Sequence, residues 1–228
     1  MAKKKINQEQ HTLVGEMALW LTRKYYSWLR DGGSELNQAI GQLFTPATPQ
    51  DISVLFRNTE AELSTMNKYL FLAPPEGDAT ILPVAALRFN FQRVVPEVRV
   101  QVGLFTGTPE APRAIGVRFE TPEGTGLHNY YHCQLFSHYR TNGQNIPLPV
   151  DHWLPTSDPT LLLGAKNSVA LMVCLIASLY GRPAVEKLAL EPFGDQMKRY
   201  MDLVPWFESK ATGKRHQEDE YGRWHCGV

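Results

Sequence analysis

The run His128-Asn129-Tyr130-Tyr131-His132-Cys133-Gln134-Leu135-Phe136 holds the densest set of chemically capable side chains in the chain, and it reads as a strand. Strand alternation sends Tyr131, Cys133 and Leu135 to one face and Tyr130, His132 and Gln134 to the other. It would close a four-strand meander that begins near Ile81. Leu87, Phe89 and Phe91 alternate there with Arg88, Asn90 and Gln92. Val98, Val100 and Val102 alternate with Arg99 and Gln101, and Ile115, Val117 and Phe119 with Arg118 and Glu120. Gly107-Thr108-Pro109 and Pro122-Glu123-Gly124 mark turns. Connections this short imply antiparallel neighbours with one buried face.

Helical signals flank the meander. Leu13, Met17, Trp20 and Trp28 recur at helical spacing across residues 7–30, and Asp31-Gly32-Gly33 stops the run. Its basic residues predict a solvated side; the minority reading is a membrane-surface helix. Ser34–Phe44 predicts a second helix. Thr48, Pro49 and Asp51 supply an N-cap, a first-turn proline and an acid at the positive helix end. That third helix is expected to carry Ile52, Leu55, Phe56, Leu63 and Met66 inward. Asn142–Pro159 reads as a Pro-rich polar loop. Ala165–Tyr180 is apolar nearly all round and belongs in the core, with Gly181 ending it and Pro183 starting the next helix.

The expected class is therefore α+β: an antiparallel four-strand meander packed on a buried helix, with a helical N-terminal portion and C-terminal helices. The divisions are 1–72 for the helical portion, 79–206 for the α+β core continuous with it, and 207–228 for a charged tail. At 228 residues, 43% hydrophobic and 20% charged, the composition is globular. Equal numbers of basic and acidic residues, 23 each, argue against non-specific coating of nucleic acid. Three scattered cysteines without a CxxC argue against a disulfide framework. Lys3-Lys4-Lys5 precedes no apolar leader, and the run Val169–Ala177 falls short of the roughly 20 residues that span a bilayer. A cytoplasmic protein with no membrane partner is the expectation.

Few residues present a catalytic pattern. On a strand His128 and His132 stand roughly 13 Å apart and cannot share one ion. No metal site and no cofactor are expected. Cys133 alternates onto the buried face while its neighbour His132 points away, so the thiol reads as a small apolar group. His152 beside Asp151 reads as an orienting polar side chain.

Lysine usage is more informative. Between Lys68 and Lys166 there is none, yet the interval holds six arginines. One sheet face would collect Arg88, Asn90, Arg99, Gln101, Arg118, Tyr130, His132 and Gln134, with Gln92 and Glu120 among them. Planar, multidentate side chains of this kind characterise recognition surfaces. They equally suit a face covered by the same chain, because interfaces within and between chains share chemistry. The leading expectation is a non-enzymatic recognition or assembly subunit. Its partner would be an acidic protein surface, with nucleic acid the less favoured choice.

Several short motifs offer a second reading. Arg118-Phe119-Glu120-Thr121-Pro122, His128-Asn129, Cys133, Trp153-Leu154-Pro155 and Ser178-Leu179-Tyr180 occur in that order along the chain. This order resembles that of ubiquitin-conjugating (E2) and RWD-type domains over residues 113–181. The resemblance implies an α+β fold and a thiol-transfer alternative, with Cys133 as the nucleophile and Asn129 or His132 assisting.

Overall fold

The computed structural model describes residues 2–75, 78–122, 131–141, 144–149, 160–163 and 165–201. It is α+β. Helix α1 (Ala2–Arg30) leads to α2 (Glu35–Leu43) and α3 (Pro49–Leu55). Short strands β1 (Glu60–Glu62) and β2 (Leu70–Phe71) come after them. The meander is β3 (Leu82–Asn90), β4 (Glu97–Thr108), β5 (Ala111–Glu120) and β6 (His132–Phe136). A hairpin of β7 (His138–Thr141) and β8 (Gln144–Pro147) comes next, then β9 (Thr160–Leu162), α4 (Ser168–Leu188) and α5 (Gly194–Arg199). The main sheet runs β1-β3-β4-β5-β6-β9, with β2 pairing on β3 beside β1, and all its pairings are antiparallel.

The helix caps reflect local chemistry. Ser34 accepts the Asn37 N–H at the start of α2. Thr48 and Asp51 form a reciprocal capping box on α3, with Pro49 in its first turn. Asn167 caps α4, and Gly181, at φ 69°, breaks its helical path before Pro183. By length and composition α4 matches a membrane span. In the fold its Val169, Leu171, Met172, Leu175 and Ile176 are buried in the core shared with α1 and the sheet.

Three expectations need correction. The helix opened by Thr48 ends at Leu55; Leu63 is buried in a 3-10 turn, and Met66 is 37% exposed. Tertiary pairing ends it: Thr59 accepts the Phe91 N–H, and Glu60–Glu62 joins the sheet opposite Arg88–Asn90. The Pro-rich loop contains β8, paired antiparallel to β7. The sheet, finally, buries both faces. Leu82, Val84 and Ala86 are as buried as Ala85 and Leu87, so alternation holds only for the later half of β3.

One face packs on α1, α3 and α4 through Leu87, Phe89, Val98, Val100 and Val102. The apolar half of the other face, with Val84, Phe105 and Phe136, packs under Leu36, Ile40, Phe44, Tyr139 and Leu148. Tyr139 is fully buried there. Its hydroxyl accepts the Gly103 N–H at 2.9 Å and donates to the Val84 carbonyl at 2.6 Å. Val84 and Gly103 are register partners, so the phenol bridges β3 and β4. Only glycine allows this approach, because a Cβ on Gly103 would stand 2.5 Å from the Tyr139 oxygen.

Tyr139→Phe should therefore lower stability by about 1–3 kcal/mol, the cost of stranding buried polar groups. Gly103→Ala should lower it as well, through the clash. Urea unfolding followed by circular dichroism measures both; unchanged midpoints would show that the hydroxyl does not join the strands.

Candidate partner-binding site

The sheet register places the arginines in two rows. One row across the strands reads Glu62, Arg88, Arg99, Glu120, His132. The next reads Ala86, Gln101, Arg118, Gln134. Arg88, Arg99, Gln101, Arg118, His132 and Gln134 thus share one face, as the alternation predicts, and Asn90 joins them at the end of β3. Tyr130 lies outside the described residues, as do Asn129, His128 and His152.

Accessibility is where the expectation fails. Asn90, Gln101 and His132 are buried, at 8%, 2% and 1% exposure. The side chains of Arg99 and Arg118 are 21% and 12% exposed, and only Arg88, at 40%, reaches well into solvent. Much of the face is therefore an internal polar network.

Glu120 is its hub. Arg99 pairs with one carboxylate oxygen. Arg118 Nε lies 2.7 Å from the other, and His132 Nε2 lies 3.3 Å from that same oxygen. A second nitrogen of Arg118 donates to Gln134 Oε1. Burial alone would push the Glu120 carboxyl up. The His132 hydrogen bond and the positive charges of Arg99 and Arg118 outweigh it and hold the carboxyl below its ordinary range. Arginine suits this position because one planar guanidinium serves Glu120 and Gln134 together, which a lysine ammonium cannot do in that geometry.

Asn90 is also structural. Its Oδ1 accepts the Gln92 N–H and turns the chain out of β3. Gln101 Nε2 finds no hydrogen-bond partner among the described residues. It borders a recess between Glu62, Ala86, Leu87, Arg88 and Arg99, with room for roughly one water molecule.

The exposed rim of this network is the β3–β4 connection. Glu97 holds Arg88 at 3.4 Å and Arg93 at 3.0 Å. Arg93 is 53% exposed, beside Val94 at 71% and Val95 at 49%. The Arg93 carbonyl accepts the Asn7 side-chain amide at 3.0 Å, which brings the start of α1 alongside. That start contributes Lys5 and the exposed Ile6, preceded in sequence by Lys3 and Lys4. No acidic residue offsets them in the first turn of the helix. Arg93, Val94 and Val95 drew no attention in the sequence because a turn after a strand commonly carries such residues. The hydrogen bond that brings the start of α1 to this turn, Asn7 to the Arg93 carbonyl, spans 86 positions and leaves no local signal.

Cys133 pairs in register with Phe119 on one side and Leu161 on the other, inside the sheet. It packs on the core with Cys174 beside it. Burial pushes its thiol up, away from the thiolate that a nucleophile needs, and it pushes Cys174 up to about 11. His132, the adjacent residue, faces the opposite side and binds Glu120. Among the described residues no cluster of three or more potential metal ligands occurs.

Another histidine is unusual and had no sequence signal. His11 of α1 is 5% exposed among Phe56, Phe89 and Phe91, and its Nε2 lies 2.9 Å from the Asn58 carbonyl. Burial holds its pKa below the ordinary value, against the opposing effect of the Asn58 bond.

Comparison with family models, with curated proteins and with solved structures finds no match. The resemblance to ubiquitin-conjugating domains therefore rests on the quoted residues alone.

His11 and Glu120 are both held deprotonated in the fold, one neutral and the other charged, and both therefore make the fold acid-sensitive. His11 is held neutral, so the unfolded chain takes up its proton first, and stability falls as pH drops below about 6.5. Glu120 is held ionised, so its contribution is present above about 4.5 and is lost as pH falls through its lower folded value. Glu120→Gln should destabilise the protein by about 3–5 kcal/mol at pH 7, because two partly buried guanidinium groups lose their counter-charge. The penalty should shrink below pH 4.5. A constant penalty in denaturation curves across that acid range would show that Glu120 is not the hub.

Proposed function

We propose that this chain is a non-enzymatic recognition or assembly subunit that docks an acidic protein surface. The docking edge is the exposed rim of the arginine network: Arg88, Arg93, Val94 and Val95, with Ile6 and Lys5 beside them. The observation that carries this reading is the arrangement around Glu97. One poorly exposed carboxylate fixes two partly exposed guanidinium groups next to two exposed valines. Each guanidinium keeps outward donors for carboxylates, and the valines supply apolar area that is of no benefit in water. Such a combination of arginine with apolar anchors is enriched at interfaces. The buried cluster beneath it supplies rigidity, which lowers the ordering cost of binding. An acidic protein segment fits better than nucleic acid, since the chain's net charge is zero and the rim offers aliphatic side chains rather than stacking rings.

The expected test outcome separates rim from network. Arg93→Glu together with Val94→Asp should weaken partner binding by about tenfold or more, roughly 1.4 kcal/mol, with little change in melting temperature. Binding should also weaken as salt rises. Arg118→Lys should instead lower the melting temperature, because it disturbs the buried cluster. Cys133→Ala should leave partner binding intact. The measurement is a comparison of partners cross-linked to the wild-type chain and to each variant, followed by titration with the purified partner. A partner that binds the rim variant as well as the wild type removes this surface; one that requires the Cys133 thiol promotes thiol transfer.

A further inference from the structure

Arg88 and Arg99 oppose each other across β3 and β4 as register partners, a pairing of like charges that a sheet does not favour. Each has its own carboxylate: Glu97 holds Arg88 at 3.4 Å, and Glu120 holds Arg99. Both arginines line the recess that Gln101 borders. Gln101 is 2% exposed, and its Nε2 finds no hydrogen-bond partner among the described residues. A buried donor in that condition costs stability, and an acceptor placed against it recovers the loss. The recess is partly open to solvent and has room for about one water-sized group.

Size and charge narrow the choice of acceptor. The room suits a single oxygen rather than a whole ligand. Glu62, another wall of the recess, turns one carboxylate oxygen to the Ser64 hydroxyl, and its charge limits how much negative charge can be added. Locally Arg88, Arg93, Arg99 and Arg118 exceed Glu62, Glu97 and Glu120 by one positive charge. A carboxylate matches that excess. A phosphate monoester, with a charge of about −1.5 to −2 and a tetrahedral head, exceeds it. A carboxylate is also planar, so one oxygen can enter while the other stays outside. There it meets Arg88, the wall of the recess that is also part of the rim, 40% exposed and with guanidinium donors to spare.

We infer that this recess is the specificity pocket of the docking surface: it takes one oxygen of an Asp or Glu side chain of the partner, which accepts the Gln101 Nε2–H while the second oxygen pairs with Arg88. This rests on the proposal that the rim is a docking surface. Gln101 then selects the acid over its amide. An Asn or Gln side chain offers the oxygen but sets its own NH2 against Arg88, donor against donor, and a site built on such pairing rejects the mismatched group.

The test is an NMR titration of the full chain with a hexaglutamate peptide and, separately, with sodium acetate, each at constant ionic strength. With the peptide, the Gln101 side-chain NH2 signals and the Arg93–Val95 backbone amide signals should move together, at one half-saturation concentration. In Gln101→Met, which replaces the amide by an apolar chain of similar length, that concentration, read at Arg93–Val95, should rise several-fold while the melting temperature holds. Peptide shifts confined to Arg93–Val95 would overturn the inference and leave the docking surface standing. A Gln101 response to acetate but not to the peptide would also overturn it, since the recess would then serve small free anions. So would a Gln101→Met variant with a lowered melting temperature and unchanged peptide affinity, which would make the amide purely structural. If the peptide moves neither set of signals, the pocket and the docking surface both fall.

Discussion

A carboxylate buried within a sheet must be neutralised where it stands. Glu120 is 3% exposed, and taking its charge out of water costs several kcal/mol unless partners are already in place. The antiparallel register supplies them: Arg99 directly opposite on β4, His132 directly opposite on β6, and Arg118 two residues away on its own strand. A slip of one residue in either pairing would turn the partners to the other face and leave the charge alone. The network therefore specifies register more than it adds stability. It also accounts for the lysine-free interval without any outside partner.

The rest of the same face is ordered by an equally local constraint. Gly103 and Gly116 are register partners, and side chains at either would collide with Tyr139, Phe136 or Leu148. Their absence opens a track in which the β7–β8 hairpin lies against the sheet. The hydroxyl of Tyr139 then serves backbone groups on two neighbouring strands. With apolar cover at one end and ion pairing at the other, the β3–β4 connection and the start of α1 are left to present charged and apolar groups outward.

This division changes what the arginine-rich face means. Gln101, His132 and Glu120 are internal, and Asn90 shapes a turn. The arginines that reach furthest into solvent, Arg88 and Arg93, are held through Glu97 and stand next to Val94 and Val95. The recognition we propose therefore falls to a rim, with the buried network as its support. The setting of Cys133 works against thiol chemistry for a related reason: a residue paired on both sides within a sheet and packed on an apolar helix has neither the polarity nor the base that would ionise it.

The sequence by itself determined the α+β class, the period of the meander, the cap of α3, the break at Gly181, and the sharing of one face by Arg88, Arg99, Gln101, Arg118, His132 and Gln134. Each of these depends on neighbours a few positions apart: a two-residue alternation, a hydroxyl reaching the third amide, a glycine tolerating positive φ. Only the tertiary structure decided that this face is largely buried, that α3 stops at Leu55, and that His11 sits among three phenylalanines. It alone placed Asn7 of α1 on the Arg93 carbonyl. Those outcomes depend on contacts between segments tens of residues apart, and alternation states which side chains share a face without stating what covers them.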